Sequence, residues 1–423
     1  MKDIVAIVLA AGRGTRMKSE IPKVLHNILG KPIIRHILDS LEEAGLTDII
    51  TVTGYGSSLL KEVTKDTKII VQKKLLGSAD AVIKAKKALG RYLQDVLIIC
   101  GDTPLIQSKT IKDIIERHKA SGTSLTLLTA KLKDPTGYGR IVRGDAGKIS
   151  KIVEETEASF YEEVINEINA GVYCFRAKSL FEALSDVKSE NKKKEFFLTD
   201  AVGILHKKGE DIESVLAEDP REIIGVNTRK DLSEATRILK DRILETIMAN
   251  GVTVEDPTST TIFANVKIGH DTVICPYTVI ESDVDIGRNC RIGPFAHIRS
   301  AVHIGDNVEV GNFVELVRTT VKDGTRIKHH TYLGDTLIGK RVNVGAGTIT
   351  ANFDGKNKNK TIIKDGASIG VGAILIAPVR IGEWAIVGAG CVVPKNHNVP
   401  KGATVVGVPA RVIKKNYKRE DKR

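Results

Sequence analysis

The stretch Val266-Lys267-Ile268-Gly269-His270-Asp271-Thr272-Val273-Ile274-Cys275-Pro276-Tyr277-Thr278-Val279-Ile280-Glu281-Ser282-Asp283-Val284-Asp285-Ile286-Gly287 carries an aliphatic residue at every sixth position. The register starts at Ile262 and runs on through Ile292, Ile298, Ile304, Val310 and Leu316. It resumes at Val321, Ile327 and Leu333, then at Ile338 and Val344, and after a gap at Ile363, Ile369, Leu375, Ile381, Val387 and Val393. A six-residue period predicts a parallel β-helix. Each short strand turns its aliphatic residue inward, glycine eases the corner, and stacked coils bury one continuous core. So narrow a core holds Ile, Val and Leu rather than large rings, in keeping with an aromatic content of 4%. The gap, Thr350 to Ile362, reads as a loop expelled from one coil, a place where solenoids often build binding surfaces.

Toward the N-terminus, Leu232, Ala235, Ile238, Leu239, Ile243 and Ile247 recur at helical spacing, and Gly251 closes the pattern. Residues 229–250 are therefore expected to form a linker helix. Residues 1–228 alternate strand-like runs (Ile4–Leu9, Ile49–Thr53, Val96–Cys100, Leu125–Ala130) with helical ones (Ile33–Ala44, Ser78–Leu89), the mark of an α/β sheet domain. The expected division is 1–228, 229–250 and 251–423.

Lys and Arg outnumber Asp and Glu by 64 to 52, a net charge of +12. The basic residues are dispersed, and the densest run, Lys414-Lys415-Asn416-Tyr417-Lys418-Arg419, reads as a solvated end. We expect no nucleic-acid partner; a positive field also suits small phosphorylated substrates. No apolar run is long enough to span a bilayer, and the first residues lack a signal-peptide layout. Five scattered cysteines without a Cys-x-x-Cys fit reduced thiols. Together these predict a cytoplasmic protein.

The first strand runs into Leu9-Ala10-Ala11-Gly12-Arg13-Gly14-Thr15-Arg16-Met17, with Pro22-Lys23 following. A glycine-rich turn after a strand presents backbone N–H groups to phosphates, and Arg16 and Lys23 add charge-assisted contacts. The third glycine of a dinucleotide fingerprint and the Gly-Lys-Ser/Thr of a P-loop are both missing, which excludes the usual dehydrogenase and ATPase readings.

The whole string, with Pro-Lys-Val-Leu behind it, resembles the sugar-1-phosphate nucleotidyltransferases. With the hexapeptide repeat added, nearly all of the chain is similar to the bifunctional N-acetylglucosamine-1-phosphate uridyltransferase/glucosamine-1-phosphate acetyltransferases. The resemblance implies a Rossmann-like α/β nucleotidyltransferase domain, a linker helix and a left-handed parallel β-helix. It implies a nucleotide site of Leu9, Ala10, Gly12, Gly14, Lys23, Gln72, Gly77, Ser78, Asp102, Gly139, Glu154, Asn169 and Asn227. Within it, Gln72 to Ser78 matches the uracil segment, with Leu75 where the family has a second Gln. Asp102 and Asn227 match the Mg²⁺ ligands, and Gly139, Glu154 and Asn169 match the groups that hold the sugar. The implied reaction is in-line attack of a sugar phosphate on UTP, assisted by Arg16 and Lys23 and releasing pyrophosphate.

In the repeat, His329-His330-Thr331-Tyr332-Leu333-Gly334-Asp335 breaks the regular pattern with polar groups. By resemblance His329 is the general base of acetyl transfer. Arg299, Tyr332, Asn343 and Asn352 match the amino-sugar phosphate site, with Asn352, Phe353 and Ala389 toward acetyl-CoA. A metal pair at His329 and His330 is disfavoured because neighbours on a strand face opposite ways. Val317 stands where the family has a phosphate-binding Lys, and strand alternation would turn Arg318 to the other face. Lys328, Phe353 and Val371 also depart from the pattern. The expected partners are UTP, a sugar 1-phosphate, acetyl-CoA with Mg²⁺, and two further copies in a homotrimer. The competing expectation is a monofunctional nucleotidyltransferase whose β-helix only trimerises; Val317 favours it, and His329, Tyr332 and Asn352 oppose it.

Overall fold

A computed structural model describes residues 3–89, 94–144 and 147–415. Most of the basic tail, from residue 416 on, lies outside them. The chain divides into two compact units, 1–238 and 239–423. The division falls inside the helix Arg229–Ala249 rather than at either of its ends.

The first unit is built on a mixed sheet. Its strands are β1 (Ile4–Ala10), β2 (Ile49–Thr53), β3 (Lys68–Val71), β4 (Asp95–Cys100), β5 (Leu125–Lys131), β6 (Arg140–Arg143), β7 (Ile149–Val153), β8 (Glu167–Arg176) and β9 (Ile212–Leu216). The order across the sheet is β9-β5-β8-β4-β1-β2-β3, with β6 and β7 joined beside β8. β1 runs parallel to β2 and β4, while β8 runs antiparallel to β4 and β5. Central strands are apolar on both faces: Ile7 and Ile98 on one face and their neighbours Val8 and Ile99 on the other are fully buried, as expected where helices cover both sides of a sheet. Leu9 pairs with Cys100, so the loops after β1 and β4 leave the sheet side by side at its carboxyl edge. That edge is where open α/β sheets bind ligands.

β8 is irregular where it matters. Asn169 pairs with Thr129 and Tyr173 with Leu127, so β8 spends two extra residues between these pairs. Gly171 takes φ +71 within this bulge, and a side chain there would press on the Cys100 thiol. Bulges of this kind re-aim the neighbouring side chains.

The second unit is a parallel β-helix, and every sixth-position aliphatic residue from Ile274 to Val393 is buried in one core. Leu244 and Ile247 of the helix join that core. Three stacks of short parallel strands form its faces. One runs through Thr253, Val273, Arg291, Glu309, Arg326, Asn343, Ser368, Ile386 and Thr404. A second runs through Thr261, Val279, His297, Glu315, Tyr332, Ile349, Ile374 and Val392. The third begins at Lys267 and ends at Arg380. Corners between faces take left-handed φ. One corner holds Tyr277, Phe295, Phe313 and His330 in successive coils, then Gly347, Gly372 and Gly390. The three aromatic rings stack with centroids 4.8 and 5.1 Å apart.

Candidate active sites

At the carboxyl edge of the first sheet, Gly14 opens a short turn, Thr15–Met17, with φ +64. A side-chain carbon on Gly14 would stand 2.6 Å from Lys23 Cβ, so the turn and Lys23 are packed root to root. Lys23 Nζ donates to Asp102 Oδ2 and, at 2.9 Å, to Asn227 Oδ1. These three residues come from three distant segments. Asp102 follows β4, and its carbonyl accepts from Val226 N at 2.8 Å, which holds the next residue, Asn227, alongside. Asn227 is anchored by the start of the helix Arg229–Ala249. Thr228 and Asp231 form a reciprocal cap, Asp231 N to Thr228 Oγ1 and Thr228 N to Asp231 Oδ2, and Asp231 also accepts from Asn227 N. Gly12 and Arg16 are exposed on the loop.

Asp102 and Asn227 thus bring two hard oxygens to one point. Among the described residues, no cluster of three or more His, Cys, Asp or Glu side chains is placed to hold a metal by itself. A cation at this point would complete its shell from substrate phosphates and water, the habit of Mg²⁺. The donor set fits that ion.

Cys100 is half-buried beside this group. Burial first, and then the Asp102 charge, push its thiol up to about 12, with Lys23 opposing and Glu154 adding to the rise. It is a neutral packing residue, and its surroundings place Lys23, Asp102 and Glu154 around one spot. Asn169 N donates to Gly139 O at 2.9 Å, so the β6 and β8 members of the set are neighbours. Two buried hydroxyls hold the pair of polar side chains: Tyr173 Oη accepts from Asn169 Nδ2 at 2.6 Å, and Thr199 Oγ1 donates to Glu154 Oε1 at 2.9 Å. Burial raises the Tyr173 phenol well above its ordinary value. Neither hydroxyl carries a local sequence signal; each is found only by its tertiary neighbour.

The segment Gln72 to Ser78 folds on itself. Gln72 is buried, and its amide donates to Gly77 O (3.1 Å) and Asp80 Oδ2 (2.8 Å). Gly77, at φ +116, lies against the backbone of Phe196, leaving no room for a side chain. Ser78 Oγ accepts from Leu198 N at 2.9 Å. Leu75, in the place of the family's second Gln, is 38% exposed.

On the β-helix, the strands Glu309–Val317 and Arg326–Gly334 pair in register with Asn312 opposite His329. His329 Nδ1 lies 3.0 Å from Asn312 Oδ1. An amide oxygen only accepts, so in the neutral ring this contact selects the tautomer with the proton on Nδ1 and the lone pair on Nε2. His329 and His330 are both exposed, against the alternation expected of a strand. His330 sits at a corner with φ +36, which resets the side-chain direction.

The same correction applies to Arg318. Val317 is buried, but Arg318 lies just past the strand with φ +47 and so is not turned away by alternation. Its guanidinium donates to both oxygens of Asp335 (2.6 and 2.8 Å), and Asn352 Nδ2 donates to the same carboxylate at 2.5 Å. Arg318 first, then the Asn352 bond acting against burial, hold the Asp335 carboxyl below its ordinary value. A side chain on Gly334 would touch Tyr332 Oη and Asn352 Nδ2 at 2.7 and 2.6 Å, so Tyr332 and Asn352 flank one glycine. Asn352 is therefore buried in its own coil, while Phe353 beyond it is 61% exposed. Arg299 pairs with Glu315, the residue opposite Tyr332. Asn343 stands apart, on the neighbouring face opposite Arg326. Ala389 is exposed next to Gly390, at the head of the glycine corner. Backbone bonds of 2.7 Å run up that corner from His330 to Gly347, from Ala346 to Gly372 and from Val371 to Gly390.

Residues 5–242 match the nucleotidyl transferase family, and residues 265–300, 283–318 and 360–395 match the bacterial transferase hexapeptide family. The chain is 42% identical to the bifunctional protein GlmU of Shouchella clausii, over 98% of this chain and 99% of that one. It is 43% identical to the bifunctional protein GlmU of a Geobacillus species, over 97% of each. A solved UDP-glucose pyrophosphorylase with UDP-glucose matches 56% of this chain and 98% of its own, with a TM-score of 0.46 and 20% identity. No helix among the described residues is long and apolar enough to cross a membrane.

Proposed function

Because the chain belongs to the family of the bifunctional protein GlmU, we propose that its two activities are divided between the two units. The β-helix acetylates glucosamine 1-phosphate, and the α/β unit then joins the product to UTP, giving UDP-N-acetylglucosamine and pyrophosphate. The observation that carries the second step is the convergence of Lys23, Asp102 and Asn227 at the carboxyl edge of β1 and β4.

In uridylyl transfer the sugar phosphate oxygen attacks the α-phosphorus in line and pyrophosphate leaves. The nucleophile arrives charged, so the chain's task is to position and neutralise. Lys23, Arg16 and the backbone from Gly12 to Gly14 take phosphate oxygens. Glu154 and Asn169 take sugar hydroxyls and the acetamido group, kept in line by Thr199 and Tyr173. Mg²⁺, held by Asp102 and Asn227, supplies further charge to the phosphates when bound.

In acetyl transfer the sugar amine attacks the thioester carbonyl of acetyl-CoA. His329 Nε2 removes the amine proton, Asn312 fixes the tautomer, and the coenzyme leaves as the thiol after taking a proton. Arg299, Tyr332 and Asn352 receive the sugar phosphate. The column of Gly347, Gly372 and Gly390, bare of side chains, offers an extended coenzyme a place to lie beside Ala389 and Phe353. His329 is exposed beside the corner at His330 and Asn343 stands on another face, so the site needs a second wall. A neighbouring copy in a homotrimer supplies it. Five unpaired cysteines favour the cytoplasm as the setting.

The test is selective loss. Asp102→Ala is expected to abolish uridylyl transfer and spare acetylation. His329→Ala is expected to slow acetylation by about 10²–10⁴-fold and spare uridylyl transfer. Loss of both activities from either change in a folded oligomer would overturn the two-site assignment.

A further inference from the structure

The geometry around Asp102 points to a use of Lys23 beyond phosphate binding. We propose that the Lys23 ammonium is a resident counter-ion, occupying the point to which Asp102 Oδ2 and Asn227 Oδ1 are directed until a divalent cation, arriving with nucleotide, displaces it toward the phosphates. The proposal rests on the reading of Asp102 and Asn227 as metal-directed.

Three observations carry it. One Nζ bonds both oxygens, so an ammonium and a metal ion compete for the same lone pairs. The backbones that carry these short side chains are anchored, Asp102 by its carbonyl bond to Val226 N and Asn227 by its amide bond to Asp231. Lys23, by contrast, reaches in on a flexible four-carbon arm whose root alone is held, against Gly14. The pair is also poorly hydrated, with the Lys23 side chain 12% and the Asp102 side chain 25% exposed, so a carboxylate without a cation there would be costly. Among the described residues, Asp102 and Asn227 bring two oxygens to this point, too few for a divalent ion to win against an ammonium already in place. Phosphate oxygens change that balance twice over, by adding ligands for the metal and by giving Lys23 a second anion to bind. Metal entry is thereby tied to nucleotide entry.

The experiment is a Mn²⁺ titration of the full-length protein without nucleotide, read by electron paramagnetic resonance. Wild type is expected to bind weakly. Lys23→Met, which keeps the arm and removes the charge, is expected to bind at least about tenfold more tightly, and Lys23→Arg to stay weak. A Lys23→Met protein that binds no more tightly than wild type overturns the proposal. A second measurement needs no variant: mass-spectrometric labelling of wild-type lysines by an acylating reagent, with and without saturating Mn²⁺. Labelling of Lys23 is expected to rise with the metal; no change or a fall also overturns the exchange. The underlying reading fails separately, and the exchange with it, if Asp102→Ala leaves Mn²⁺ binding in the presence of UTP unaltered.

Discussion

Gly14→Ala is the smallest change that should disable one reaction and leave the fold standing. Gly14 has φ +64, and an added Cβ would lie 2.6 Å from Lys23 Cβ, where ordinary contact begins near 3.4 Å. The neighbour is the root of the lysine side chain, so it cannot swing clear; one of the two segments must move by most of an ångström. The left-handed conformation itself costs about 1–2 kcal/mol for a residue with a side chain. In a unit of this size that lowers the melting temperature by a few degrees. The functional loss should be larger. The root of Lys23 sets where its ammonium can reach, and a shift of this size there misaims the charge toward the phosphates. A misplacement of about 1 Å in a positioning group costs on the order of 10²-fold in rate, or about 2.7 kcal/mol of transition-state stabilisation. Pyrophosphate release measures the uridylyl step, and thiol release from acetyl-CoA in the same preparation serves as an internal control. A Gly14→Ala protein whose uridylyl kcat/KM is unchanged would refute the link between the turn and Lys23.

Tyr173→Phe and Thr199→Val each remove a buried hydroxyl that holds Asn169 or Glu154, and each should raise KM for the sugar phosphate about 3–10-fold, the worth of one hydrogen bond. KM for UTP should not move, and Thr199→Ser should recover most of the loss; steady-state kinetics with each substrate varied decides. The Arg318–Asp335 pair gives a pH prediction. The native carboxyl is held below its ordinary value of 3.8, so its contribution is fully present above that value and fades as the pH falls through the lower native one. Urea midpoints of wild type and Arg318→Met should therefore differ near neutrality and converge in acid. A gap that stays constant down to the acid end would show that the pair is not its source.

Much of this protein is legible in its sequence, because periodicity reports what is buried. The six-residue register from Ile262 to Val393 specifies a β-helix by itself, because a stacked core leaves no other use for such a pattern. The alternating strands and helices of the first unit, and the glycine turn after β1, were readable for the same reason: each is local. Side-chain direction at the corners was not. Alternation sends Arg318 and His330 away from their neighbours, yet both sit at left-handed φ, and Arg318 closes on Asp335 instead.

What only the tertiary structure decided is the meeting of distant groups. Lys23 reaches Asn227, 204 residues away, and Thr199 reaches Glu154. Pairings of this length depend on how strands β1 and β4 lie beside each other, on a bulge in β8 and on a helix cap at Thr228. The amino-acid order fixes the identity of each partner; only the packed sheet determines which oxygen each donor finds.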